Sequence, residues 1–120
     1  MAIADLFAHR SGLPGGAGDD LESLGYDRTK ILRRLRPLTP ASSLRSAYAY
    51  SKFGLTASAR AAGQAAGTAW EDLAAERLYQ PLGMRNTSSQ YTDFAAAPNR
   101  AALHVPGATY VGCSTFQLIT

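Results

Sequence analysis

Two tyrosines, a serine and a lysine lie within five residues, in the segment Tyr48-Ala-Tyr-Ser-Lys52. A phenol can act as a general acid or base, and a lysine amine can activate a neighbouring hydroxyl. Ser51 and Lys52 do not form a serine–lysine dyad, because adjacent side chains on a strand or a helix point apart. The segment is thus a candidate for acid–base chemistry, but an aromatic side chain packed at the start of a helix explains an isolated tyrosine equally well.

The same segment takes part in a second pattern, which imitates a short-chain dehydrogenase. Tyr48 and Lys52 fit Y-x-x-x-K, and Gly12, Gly16 and Gly18 fit the glycine-rich cofactor loop G-x-x-x-G-x-G. A dinucleotide loop must follow a buried strand and open a helix, whereas this one follows an amphipathic helical pattern and ends in two acids. About thirty residues between loop and tyrosine are also too few for the repeated βαβ units of such an enzyme. The context therefore excludes a dinucleotide site.

Other nucleophiles and bases have little support. The only cysteine, Cys113, excludes an internal disulfide and a cysteine-based zinc site. It could in principle pair with His104 as nucleophile and base, although nothing else near them favours this. His9 lies at the end of a helical pattern, where a lone histidine is more often a hydrogen-bonded structural group or cap than a base.

Helical periodicity predicts the elements that must position these residues. Apolar residues at i, i+3 and i+4 predict a helix over Ala2–Arg10, followed by a glycine-rich loop to Asp20. Asp27 can cap a second helix, predicted over Arg28–Arg36. The apolar stripes consist of Ile3, Leu6 and Phe7 in the first helix and of Ile31, Leu32 and Leu35 in the second.

Further along the chain, an irregular connection with two prolines leads to Tyr48 and then to an alanine-rich helix, predicted from about Phe53 to Ala66. Gly67 is expected to end this helix. Thr68-Ala-Trp-Glu71 has capping-box spacing and predicts a further helix to about Tyr79, with Trp70 in its apolar face. After residue 100 an uncharged, β-branched stretch indicates a strand or an irregular tail.

Length and charge bound the class of protein. A chain of 120 residues with 46% hydrophobic residues fits one modest domain, or a subdomain of something larger. The net charge is +3, and Arg33, Arg34 and Arg36 crowd together. No aromatic residues interleave with them, so a solvated helix end is favoured over a nucleic-acid surface. The sequence shows neither a signal peptide nor the roughly 20 apolar residues of a membrane span, and it leaves the compartment open.

Three segments carry a resemblance to a known family. They are LFAHRSGLP (Leu6–Pro14), YAYSKFGL (Tyr48–Leu55) and PLGMRNT (Pro81–Thr87). In order and spacing they resemble the L-L-x-H-x-S-G-L-P, Y-x-N and P-L-G-M-x-x-T elements of the serine β-lactamase and penicillin-binding-protein-like family, in particular its class C β-lactamase and esterase branch. The resemblance covers roughly residues 3–105 and leaves 106–120 as an atypical tail.

The resemblance implies a fold and a chemistry. The fold class expected is mainly α, the helical subdomain of a β-lactamase-like hydrolase, and its missing α/β domain could be supplied elsewhere. The family hydrolyses a small-molecule amide or ester through an acyl-serine intermediate, without a metal or cofactor. Tyr50 stands at the Y-x-N tyrosine, the expected general acid/base, and Lys52 stands where the family has an amide. An ammonium there could depress the phenol pKa, abolish substrate positioning, or simply face solvent.

Two family motifs are missing from the sequence. None of its ten serines has a lysine three residues later, so the S-x-x-K nucleophile is absent, as is the K-T-G or H-x-G strand. We therefore expect a fragment of such a hydrolase that is inactive alone. Two alternatives remain: an enzyme completed by another chain or by flanking sequence, and a non-catalytic basic helical interaction module. Neither a membrane nor a nucleic acid is expected as a partner.

Overall fold

The fold is mainly α, as the sequence predicts. The computed structural model describes residues 1–101, 103–105 and 108–110, and the side chains of residues 1–101. In this part of the chain, six α-helices precede a two-stranded antiparallel ribbon in which His104 lies opposite Thr109. They are α1 (Ile3–Phe7), α2 (Asp19–Ser23), α3 (Arg28–Arg34), α4 (Lys52–Ala66), α5 (Trp70–Ala74), continued by a π-helical turn (Ala75–Tyr79), and α6 (Tyr91–Ala96), and the strands are β1 (Leu103–Val105) and β2 (Ala108–Tyr110).

The longest helix, α4, is the element on which three other helices pack. Ser51 caps it: its side-chain oxygen accepts a hydrogen bond from the backbone N–H of Gly54 at 3.1 Å. The alanine-rich sequence then propagates the helix and lets neighbours approach closely. Helices α1, α3 and α5 all contact α4. The segment carrying Tyr50 therefore leads directly into the central element of the fold.

The end of α4 confirms one prediction and corrects another. Gly67 ends the helix in the left-handed conformation, with φ 73°. The N–H of Thr68 donates to the carbonyl of Gly63 at 3.1 Å, the pattern of a Schellman motif. Thr68 thus closes α4 and does not cap the next helix. The predicted capping box is wrong, and α5 begins after Ala69, whose side chain cannot cap.

Other element boundaries also differ from the predictions. Helix α1 ends at Phe7, three residues early, because His9 takes a left-handed conformation with φ 55°. Helix α3 likewise stops at Arg34. The sequence patterns predict neither α2, which begins at the end of the expected loop, nor α6. Asp19 and Asp20 lie in the first turn of α2, where the helix dipole stabilises negative charge. These two acids are the sequence signal that could have predicted α2.

The packed core forms where α3 and α4 meet the turn before α2. Phe53 has no exposed surface and Ile31 is almost as fully buried. Gly18, with φ 97°, lies against both: a Cβ at this position would be 2.6 Å from Phe53 Cδ2 and 2.9 Å from Ile31 Cγ2. The glycine is therefore needed for its conformation and for the space it leaves.

A comparison of Gly18→Ala with the control Gly25→Ala separates the effect of backbone conformation from the effect of packing. Gly25 also has a positive φ, 81°, but no described atom lies within 4 Å of the place that its Cβ would occupy. We expect Gly25→Ala to cost about 1 kcal/mol of unfolding free energy from backbone strain alone. Gly18→Ala adds overpacking and should cost about 3 kcal/mol. Urea denaturation measures both, and equal losses would contradict the packing argument.

Candidate functional site

The site is built on a left-handed turn at His9, which follows α1. At a positive φ the backbone carbonyl and the imidazole of His9 both face the segment before α4. The carbonyl accepts from the N–H of Ala49 at 2.9 Å, and the ring atom Nδ1 accepts from the N–H of Ser51 at 3.3 Å. This agrees with the expectation that His9 is a hydrogen-bonded structural group. The second bond requires the ring proton to be on Nε2.

A third hydrogen bond completes this arrangement. The N–H of Gly16 donates to the carbonyl of Tyr50 at 2.9 Å. The backbone of residues 49–51 is therefore held on one side by His9 and on the other by the glycine-rich loop. We call these three hydrogen bonds the His9 clamp. It brings two of the three resemblance segments, the HRSGLP and YAYSK stretches, into direct contact.

The tyrosine side chains of the clamped segment remain accessible. Tyr50 is 52% exposed and Tyr48 is 68% exposed, although both are large aromatic residues. The imidazole of His9 contacts both rings, with its centroid 4.8 Å from that of Tyr50 and 5.5 Å from that of Tyr48. Tyr50 thus presents its phenol to solvent from a fixed backbone, which suits a group that exchanges protons with a bound molecule.

Lys52 points towards helix α2. Its ammonium forms a short ion pair with Glu22 and lies 3.5 Å from Asp19 Oδ1, and its side chain is only 29% exposed. Burial lowers the pKa of Lys52, but the hydrogen bond and charge of Glu22 and the charge of Asp19 outweigh it, so the pKa is raised overall. Lys52 therefore stays protonated, and the carboxylates of Glu22 and Asp19 compensate its positive charge. The sequence patterns did not indicate these two partners.

A second ion pair supports the turn from the other side. Arg45, also at a positive φ of 67°, donates to the Asp5 carboxylate from Nε at 2.8 Å and from Nη2 at 3.1 Å. The hydrogen bond from Arg45, followed by that from the N–H of Ala2, lowers the pKa of Asp5 to about 2. The N–H of Arg45 also donates to the carbonyl of Arg10 at 2.8 Å. Helix α1 is thereby tied to the connection that leads to Tyr48.

The remaining candidates lie elsewhere. Ser51 is buried and used as the cap of α4, so its hydroxyl is not available as a nucleophile. Cys113 lies outside the described residues, and the side chain of His104 is not described. Within residues 1–101, no group of histidine, cysteine and acidic side chains could hold a metal ion. Among the described residues, none of the helices has the length and hydrophobicity that a membrane span requires.

Comparison with known proteins identifies the family to which this helical protein belongs. The sequence matches the Beta-lactamase family over residues 1–112. The match spans nearly the whole chain, and the chain belongs to this family. Neither the curated proteins nor the solved structures gave a match.

Substitution of His9 tests the clamp. In His9→Ala the acceptor for the Ser51 amide is lost and the left-handed turn is strained, so we expect a loss of about 1 kcal/mol in stability and faster hydrogen exchange at Ser51. Asparagine tolerates a positive φ and offers a side-chain oxygen, so His9→Asn should retain much of the protection. NMR measures the hydrogen-exchange rate of the Ser51 amide in both variants. Equal rates would contradict the role of Nδ1 as the acceptor of this hydrogen bond.

Substitution of Lys52 tests the ion pair with α2. Lys52→Gln leaves the partly buried Glu22 without its cation, and we expect a loss of about 1 kcal/mol after allowing for solvent screening. In the double variant Lys52→Gln, Glu22→Gln, part of that loss should be recovered, because neither member of the pair is then charged. Lys30→Gln, at an exposed pair with Asp27, is the matched control and should have little effect.

Thermal unfolding of these variants, together with Glu22→Gln alone, completes the double-mutant cycle for this pair. We expect the two single substitutions to cost more in sum than the double substitution does. Simple additivity would contradict the coupling between Lys52 and Glu22.

Proposed function

We propose that this chain provides the tyrosine-bearing helical part of a hydrolase that opens a β-lactam or cleaves a short acyl ester through an acyl-serine intermediate. Membership of the Beta-lactamase family supports the serine-hydrolase relationship. The observation that carries the proposal is the His9 clamp, which fixes the backbone on both sides of Tyr50 and leaves its phenol exposed.

In the proposed reaction Tyr50 moves a proton. Attack of a serine hydroxyl on the carbonyl carbon releases the hydroxyl proton, and the departing nitrogen or oxygen must gain one. As the tyrosinate, this side chain can accept the first proton, and the phenol so formed can donate it to the leaving group, which is general acid–base catalysis. The attacking serine comes from an S-x-x-K segment and the oxyanion contacts from a K-T-G or H-x-G strand, neither of which occurs in these 120 residues.

Lys52 has a different role in this proposal. The family amide at this position both donates to and accepts from a substrate, whereas an ammonium only donates. Here the ammonium is engaged by Glu22 and Asp19, so its charge is compensated before any substrate arrives. We assign Lys52 to holding α2 against the start of α4. Substrate positioning then depends on other contacts, and the choice between lactam and ester lies with them.

The chain alone should not turn over. We expect no hydrolysis of p-nitrophenyl acetate or of a chromogenic cephalosporin above the buffer rate, because the sequence offers no activated serine. In a protein that joins this chain to S-x-x-K and K-T-G or H-x-G segments, Tyr50→Phe should lower kcat by about 10²- to 10⁴-fold with little change in KM. The assay is steady-state hydrolysis of the same two substrates.

Tyr48→Phe is the matched control for this experiment. Tyr48 lies two residues away, is more exposed and also contacts the His9 ring, but it does not occupy the Y-x-N position. Its variant should retain nearly full activity. Equal losses in the two variants would indicate a packing effect on His9, and full activity in Tyr50→Phe would overturn the catalytic assignment.

A further inference from the structure

An open groove lies between α1, α3 and α4, on a surface whose lining does not include Tyr48, Tyr50 or Lys52. Its volume is about 650 Å³. The apolar lining includes five leucines, Leu6, Leu13, Leu32, Leu35 and Leu38. Phe53 also borders the groove but has no exposed surface. Leu32 and Leu35 are three residues apart and share one side of α3 and its C-terminal turn. These five leucines make the lining more apolar than polar, and we call them the apolar strip.

One edge of this groove carries a row of cations. Arg60 of α4 donates to Thr29 Oγ1 at 2.9 Å, so its guanidinium lies beside Thr29 of α3. Arg33 and Arg36 follow four and seven residues after Thr29 and also line the groove. At the rise of an α-helix this spacing covers about 10 Å. The row therefore follows one side of α3 and the turn after it.

The arginines of this row are not neutralised by the described part of the protein. Among the described residues that line the groove, none is an aspartate or a glutamate. Within residues 1–101, neither Arg33 nor Arg36 forms an ion pair. An apolar strip beside uncompensated cations is complementary to a ligand that is apolar on one side and anionic on the other.

We propose that this groove binds an acidic amphipathic helix of a partner protein. Such a helix would lay leucine-like side chains on the apolar strip and place carboxylates at i, i+4 and i+7 opposite Arg60, Arg33 and Arg36, which is the helix-in-groove mode of recognition. A nucleic acid fits less well, because bases stack on exposed aromatic faces, and the aromatic residue in the described lining, Phe53, is fully buried. The interaction goes beyond the proposed hydrolase role and does not depend on it.

The experiment uses the full chain and a synthetic peptide of about 18 residues, long enough to form a helix on binding. The peptide carries leucines at i, i+3, i+4 and i+7 and glutamates along one flank, and the control peptide has lysine in place of every glutamate. Fluorescence anisotropy of the labelled peptides measures binding. We expect the acidic peptide to bind at least about tenfold more tightly than the control.

Charge reversal in the protein locates the site. The double variant Arg33→Glu, Arg36→Glu should weaken binding of the acidic peptide by about tenfold or more. The control, Arg77→Glu with Arg85→Glu, makes the same change in net charge at arginines that do not line the groove. Circular dichroism establishes that both variants are folded.

Several results would overturn the proposal. They are equal affinity for the two peptides, equal weakening by the two double variants, and equally tight binding of a scrambled acidic peptide that cannot form an apolar face. Binding of vesicles containing anionic lipid, or of duplex DNA, in preference to the acidic peptide would assign the surface to a membrane or a nucleic acid and would also exclude the partner helix.

Discussion

The left-handed turn at His9 is the constraint on which the candidate site depends. A positive φ at this residue ends α1 and aims both the carbonyl and Nδ1 at the backbone of residues 49–51. Histidine tolerates this conformation better than most side chains, and the two hydrogen bonds offset its strain. Without the turn, α1 would run on, and the tyrosine segment would lose the hydrogen bonds that hold it on that side.

The same segment is coupled to the core at its other end. Ser51 caps α4, and the first turn of α4 contains Phe53, the most completely buried large side chain in residues 1–101. Phe53 packs on Gly18, immediately before α2, while Lys52 pairs with Glu22 within α2. Three consecutive residues after Tyr50 therefore perform capping, charge pairing and core packing. This arrangement holds Tyr50 in place although its own side chain is half exposed.

Several features that depend on a local sequence pattern were predicted correctly. The apolar stripe through Ile31, the Asp27 cap of α3 and the Gly67 end of α4 are local signals, and the structure confirms each of them. The resemblance segments also identified the family. The capping box at Thr68 failed because two local patterns compete for one backbone N–H: the N–H of Thr68 donates to Gly63, five residues earlier, and closes α4. The partners of the site residues were out of reach for a different reason. Glu22 and Lys52 are thirty residues apart, and only the folded backbone brings such distant positions together.

If Tyr50 is the acid–base residue of an acyl-serine hydrolase, the other parts of that hydrolase should be encoded beside it. Sequencing the DNA on both sides of the reading frame, in all three frames, would show this. We expect an S-x-x-K segment upstream and a K-T-G or H-x-G segment downstream. If neither is found, Tyr50 has no nucleophile encoded beside it, and the catalytic assignment is wrong.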